Sequence, residues 1–299
     1  MQTACLSNKR AAAPSRAPWV VMLSLFAATS AFAAAAPASE KAHEPAVAEI
    51  VKRNAAARGG VEDWKKLQTM VWAGHTESSN APDRKLSFLL ELKRPASMRF
   101  EIVSPAGKLV RIYDGTKGWK VHPDSNGIPD VKDYSVDELA FARSAQIIDG
   151  PLMDIVAKGG NLRLLGTENL GDRKAFVLES RLPSGDVDRV WVDAESFLEL
   201  RLDREIHMSG GRTAVSTIMF HDYRPFKGLQ IPVIVETGSG PGNATDKLVI
   251  EKVALDPQID DKTFAKPEVG SRRHGGVIVD ARGAPPAQAQ PQATQPQSH

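Results

Sequence analysis

The chain has 299 residues, with 38 Lys and Arg against 36 Asp and Glu and a formal net charge of +2. The small basic excess sits at the front, where residues 1–39 hold no Asp or Glu, so the remainder is near neutral and offers no electrostatic case for binding nucleic acid. The single cysteine, Cys5, leaves the rest of the chain without disulfides, Cys-ligated zinc or a thiol nucleophile.

Lys9, Arg10 and Arg16 precede the apolar run "WVVMLSLFAATSAFA", and small residues follow at Ala31-Phe32-Ala33. That order is the pattern of a secretory signal peptide, residues 1–33, with cleavage near Ala33 and a linker over 34–43. The apolar run, about 14 residues, is shorter than the ~20 that span a bilayer. Cys5 lies ahead of it and therefore cannot become the lipid-modified first residue of a processed lipoprotein. Cleavage removes three basic residues and no acidic one, leaving 35 Lys and Arg against 36 Asp and Glu.

Residues 44–268 read as one domain with a sizeable core. Its first segment, "EPAVAEIVKRNAAARGG", is predicted helical, with Pro45 in the first turn, Val47, Ile50 and Val51 at helical spacing and a stop at Gly59-Gly60. A second, "SVDELAFARSAQIIDGPLMDIVAKGG", opens on Ser135 and Glu138 in capping-box spacing. Gly150-Pro151 is expected to split it into two helices, the second ending at Gly159-Gly160.

Nearly everything else alternates with period two. In "KLSFLLELKRP" Leu86, Phe88, Leu90 and Leu92 share one side, and in "SMRFEIV" Met98, Phe100 and Ile102 do the same. "RIYDGTKGWKVHP" reads as a hairpin with Tyr113 entering the turn and Trp119 leaving it. "KAFVLESRL", "DRVWVDAESFLELRLDREI", "AVSTIMFHDY", "GLQIPVIVE" and "DKLVIEKVAL" continue the plan on short connections, so successive strands should pair antiparallel. The fold class is mainly β with a few helices: roughly ten or eleven strands, enough to curl on themselves, with the helices as the only cover for the apolar face. Residues 269–299 turn to Pro, Gln and Ala without an apolar period and read as a disordered tail.

Chemistry-bearing motifs are scarce. His122-Pro123-Asp124 and His221-Asp222 are the nearest approaches to ligand pairs, and each reads as a solvated strand end or turn. "DPQIDD" at 256–261 lacks the glycine and twelfth-position glutamate of an EF-hand and reads as a turn before Phe264. No nucleophile elbow, P-loop or H-E-x-x-H is present, and Ser209-Gly210-Gly211 and Ser239-Gly240-Pro241-Gly242 suit hairpin loops better than phosphate cradles. The expectation is a protein without catalytic residues, metal or cofactor. The alternation is compatible with a packed core or with a lined cavity; three short helices are little cover for one face of ten strands, which favours the cavity.

"YDGTKGW" (113–119), "DRVWVDAES" (188–196) followed by "LRLDRE", "FHDYRPFKGLQIP" (220–232) and "LDPQIDDKTFAKP" (255–267) occur in that order. The ordered set resembles the outer-membrane lipoprotein-sorting proteins of Gram-negative bacteria, the LolA/LolB-like superfamily, over residues 44–268. The resemblance implies an incomplete, half-open antiparallel β-barrel whose concave apolar side is lidded by helices. It also implies a soluble periplasmic carrier, monomeric, that holds acyl chains of a lipoprotein or lipid between a membrane-protein donor and acceptor. The alternative is a periplasmic sensor or regulatory module using the same concavity to bind a lipoprotein or partner protein. Expected cavity residues are Phe88, Leu90, Leu92, Phe100, Ile102, Leu178, Val192, Leu200 and Phe220; expected lid residues are Val47, Ile50, Leu139, Ile147 and Leu152. Tyr113 and Trp119 are expected as rim aromatics. The dedicated carriers that the sequence resembles latch the lid with an arginine on an early strand; Arg84, Arg94 and Arg99 lie in that region, no local motif singles one out, and no latch is assigned from the sequence.

Overall fold

The computed structural model describes residues 45–144, 148–182, 185–238 and 245–268. The expected signal peptide, linker and tail, and the lid residue Ile147, lie outside the described residues.

Two helices, α1 (Val47–Ala57) and α2 (Val61–Lys66), precede the first strand. Strands β1 (Thr69–Ser78), β2 (Ala81–Lys93), β3 (Ser97–Ser104), β4 (Gly107–Tyr113), β5 (Gly118–Pro123) and β6 (Pro129–Asp133) follow as a meander. Helix α3 (Val136–Ser144) then leads to β7 (Asn161–Leu170), β8 (Arg173–Arg181), β9 (Val187–Asp193), β10 (Glu199–His207), β11 (Thr213–Phe226), β12 (Leu229–Gly238) and β13 (Thr245–Leu255). All thirteen form one antiparallel sheet in the order β6-β5-β4-β3-β2-β1-β13-β12-β11-β10-β9-β8-β7. The two meanders are joined where β1 pairs with β13, and the edges β6 and β7 do not pair, so the barrel is open.

Side-chain contacts show how strongly the sheet curves. Met98 on β3 and Leu202 on β10 line one cavity, although six strand spacings, about 29 Å at ~4.8 Å each, separate them along a flat sheet. The sheet therefore curls back on itself, and its concave face carries the apolar set of β1, β2, β3, β11, β12 and β13.

Ten of the thirteen strands fall on stretches read as strands from the sequence. The other three are β1, β6 and β7. In β1, Gly74 sits at a bulge against β13; β6 is five residues long and mostly exposed; β7 is bulged beside Gly166, whose φ is +132°. Two of these are the sheet edges, where one-sided burial is weakest and alternation fades.

The capping box of α3 forms reciprocally: Ser135 N–H donates to Glu138 Oε2 at 2.9 Å and Glu138 N–H to Ser135 Oγ at 3.2 Å. The expected second helix after Gly150-Pro151 does not form. Gly150 and Asp154 adopt φ of +82° and +56°, which break the helical path, and residues 151–159 form successive turns. Leu152, Met153 and Ile155 are nonetheless fully buried, so this segment is a plug inserted into the concavity.

Buried charge holds α1 to the sheet. Arg58, just after the helix, donates from Nη1 to both carboxylate oxygens of Glu199 at 2.9 and 3.0 Å, and from Nε to the Gln230 carbonyl at 3.1 Å. The Tyr223 hydroxyl donates to Glu199 Oε2 at 3.2 Å, and the guanidinium lies 4.5 Å from the Trp64 ring centre. Burial lowers the affinity of Arg58 for its proton, but Glu199 more than restores it; burial and Glu199 together push the Tyr223 hydroxyl well above the ordinary phenol range. The chain turns here at Gly59, with φ +104°, where a Cβ would meet the Gly228 carbonyl oxygen at 2.4 Å.

The convex face also carries apolar clusters. Ile112, Trp119 and Val121 pack under Phe264 of the segment after β13. Trp119 is thus buried away from the mouth, and Tyr113 is buried with its hydroxyl donating to the Gly115 carbonyl at 2.8 Å. Neither is an exposed rim aromatic: Phe264 of the chain after β13 covers Trp119, and Tyr113 is buried on the opposite face beside Met98. The turn expected at 256–261 is present: Asp256 Oδ1 accepts from the amide of Gln68 at 2.7 Å, and Asp260 accepts from that of Lys262 at 3.0 Å.

Removing one partner of a buried pair strands the other charge, a loss of about 3–5 kcal/mol. Urea unfolding should accordingly show Glu199→Ala destabilised by about that amount, with Glu199→Gln losing less because its amide oxygen still accepts from Arg58.

Candidate functional site

The concave face encloses a cavity of about 200 Å³. Its floor is made by Trp72 of β1, Leu90 and Leu92 of β2 and Met98 of β3; its far wall by Leu202 of β10, Ile218 and Phe220 of β11 and Ile231 and Val235 of β12. Arg58, Trp64, Ile148, Gly150 and Pro151 close the lid side. Two charged groups and a hydroxyl reach this apolar space already paired: Arg58 and Tyr223 with Glu199, and Arg204, which holds Asp188 in a fork of 2.9 and 2.7 Å. A buried charge is tolerable only when so compensated. The cavity is apolar in surface and internally neutral in charge.

Of the residues expected from sequence, Leu90, Leu92 and Phe220 line this cavity. Phe88, Phe100 and Ile102 belong to the adjoining cluster on the same face, with the Phe88 and Phe100 rings 5.9 Å apart. Leu178 and Val192 lie beneath α1 in contact with the group that includes Val47, Ile50 and Leu152. Leu200 points the other way. A bulge between Glu199 and Arg201 turns Glu199 inward and puts Leu200 with Ala175, Val177 and Trp191 on the convex side. Leu139 is half-buried on α3 and does not line the cavity. Sequence reasoning missed Trp72, Leu202 and Ile218, whose period-two placement could have suggested them, and Arg58, Arg204 and Tyr223, for which the sequence holds no local signal.

Three ionic clamps hold the lid besides the Arg58 pair. Arg94, following β2, grips both carboxylate oxygens of Asp149, with Nη1 to Oδ2 at 3.0 Å, while its other donors reach the Leu67 and Trp64 carbonyls at 2.6 and 3.0 Å. Lys158 joins Asp149 at 2.8 Å. Among the three arginines left open by the sequence, Arg94 is the one in contact with the plug segment; Arg99 pairs with Glu101 on its own strand at 3.0 Å. At α3, Lys120 holds both oxygens of Glu138 at 2.8 and 2.9 Å, and Asp137 bridges Arg212 and the Ser209 amide across the barrel mouth. Burial pushes the Glu138 carboxyl up, but Lys120 and the Ser135 amide outweigh it and bring it down to about 2.

Among the described residues no group of three or more His, Asp or Glu could hold a metal ion, and no helix is long and apolar enough to cross a membrane. His221 meets Glu236 only at 3.8 Å, and the Asp124 carboxylate accepts the amides of Asn126 and Ile128 within its turn.

No family model and no curated protein matches the sequence. Among solved structures, the chain is similar to an outer-membrane lipoprotein-sorting protein domain from Vibrio parahaemolyticus at 14% identity and TM-score 0.47, covering 73% of this chain and 95% of that one. A LolA superfamily protein from Nitrosomonas europaea matches at 15% and 0.47, over 75% and 99% of the two chains. A DUF1329 family protein from Desulfovibrio piger matches at 16% and 0.47, over 72% and 97%. At such identities a fold does not carry its function with it, so the cavity and its lid must speak for themselves.

The Arg94 clamp has a definite pH signature. Burial raises the Asp149 carboxyl, but Arg94 and Lys158 outweigh it and hold it below the ordinary 3.8. A lowered folded value contributes stability above the unfolded value and loses it as pH falls through the folded one. Asp149→Asn should therefore be less stable than the parent by about 1–3 kcal/mol at pH 7, with an unchanged gap from pH 5 to 8 that closes below pH 4. Chemical denaturation of both proteins across that range measures it.

Proposed function

We propose that the chain is a periplasmic carrier that shields an acyl chain of a lipid or lipoprotein on its way toward the outer membrane. The observation that carries this reading is the apolar cavity beneath a lid fastened by ion pairs. An acyl chain of ~16 carbons in water costs on the order of 12 kcal/mol at about 0.8 per methylene, so passage through an aqueous compartment calls for such a shelter. Hydrophobic packing alone would hold a lid shut against the very surface the guest must reach. Clamps at Asp149, Asp137 and Glu138 fix the lid at its margins and leave its inner side apolar.

Entry requires the lid to give way. A cavity of ~150 Å³ holds a benzene-sized guest, so about 200 Å³ receives only part of a long chain until neighbouring side chains move. The reading assigns no bond-making step to any residue: binding is non-covalent and the polar groups fasten the lid.

A charge placed in the cavity should repel the guest. Leu90→Asp should weaken uptake of a fluorescent fatty acid by tenfold or more, while Leu89→Asp, on the opposite face of the same strand, leaves uptake unchanged. Equal uptake by Leu90→Asp and the parent contradicts the carrier reading.

A further inference from the structure

A second cavity of about 380 Å³ lies under α3, lined by Met98, Arg111, Tyr134, Glu138, Phe141 and Ala142. Met98 lines this outer cavity and the inner one alike. We propose that Met98 is a movable partition between them, and that the joined space takes one long single-chain amphiphile with its anionic head at Arg111. The inference rests on the carrier reading and deepens it by naming the guest's class.

Size supplies the first support. Neither space alone suits a long chain: the inner one is close to the benzene-binding scale of ~150 Å³, and the outer one is open at the mouth. The joined space lies well inside the ~300–1,000 Å³ range of ligand pockets, of which the inner cavity alone falls short. The partition is of a suitable kind, since methionine is unbranched, has three rotatable bonds and adapts to irregular apolar space. Met98 is only half-buried, between Leu92 of β2 and Tyr113 of β4 in the sheet register.

Charge supplies the second. Glu138 faces two cations: Lys120, which occupies both its oxygens at 2.8 and 2.9 Å, and Arg111, which reaches one oxygen at 3.3 Å. The carboxylate stays partnered by Lys120 and the Ser135 amide if Arg111 swings away. Arg111 is half-exposed at the outer cavity and is the surplus positive charge of this trio. Its planar fork matches a carboxylate or a phosphate oxygen pair, so a fatty acid and a lysophospholipid-type head share the required chemistry. Phe141 and Ala142 above it supply apolar wall for the first part of the chain.

Calorimetric titration of the full chain with hexadecanoate, hexadecyl phosphate, hexadecanol and octanol, each below its micellar concentration, tests this. The parent should prefer the two anionic ligands over hexadecanol by about three- to fivefold or more, and the tighter of the two identifies the source of the head. Arg111→Gln should reduce that preference to about one. Met98→Trp should cost hexadecanol at least tenfold more than octanol. If Met98→Trp lacks the parent's cooperative thermal transition, Met98→Ala replaces it and should raise the hexadecanol-to-octanol affinity ratio. A parent that binds every chain but ignores head charge, or Met98 variants that shift both lengths equally, overturns the tunnel and leaves the carrier reading standing. A parent that binds none of the four overturns both.

Discussion

A sheet that curls far enough to bring β3 and β10 to one cavity presents more apolar surface on its inner side than its own strands can cover. Every other feature of the molecule answers that constraint. Two short helices, a third helix across the mouth and a turn-rich plug are the only cover the described chain provides. They bury Ile50, Trp64, Leu152 and Met153 against the sheet, and they leave about 200 Å³ unfilled. Protein interiors normally close-pack, and on the proposed reading this unfilled apolar space beneath a separately fastened lid is where the guest's chain goes.

The fastening is electrostatic and graded. Arg58 and Glu199 are fully buried, bidentate and reinforced by Tyr223, so that contact belongs to the permanent frame. Asp137 with Arg212 lies near solvent, where ion pairs are weaker and screened, and Arg94 with Asp149 stands between these extremes, its arginine partly exposed and its aspartate buried. On the proposed reading, the lid is held most firmly at its root behind α1 and gives way first where Asp137 meets Arg212. A cover held by a continuous apolar seam would lack that gradient.

Much of this was legible in the sequence. Alternation in β2 and β3 placed Phe88, Leu90, Leu92, Phe100 and Ile102 on one face, and Ser135 with Glu138 announced α3. What stayed hidden depends on contacts remote in sequence or on local departures from regularity. Arg58 and Glu199 are 141 residues apart, and nothing near either predicts the other. The bulge at 199–201 reverses the parity of β10 and sends Leu200 outward, a slip that a period-two reading cannot detect. Asp154, with a left-handed backbone that few non-glycine residues adopt, turned an expected helix into a plug. Trp119 looked like a rim aromatic because the covering Phe264 arrives from the far end of the domain.

The most direct measurement is a crystal structure of the chain grown with 12-bromododecanoate, read by bromine anomalous scattering. The account predicts one bromine peak in the concavity among Leu90, Met98 and Phe220, with the chain running toward α3. A concavity without bromine, or bromine bound only on the convex surface, would contradict it.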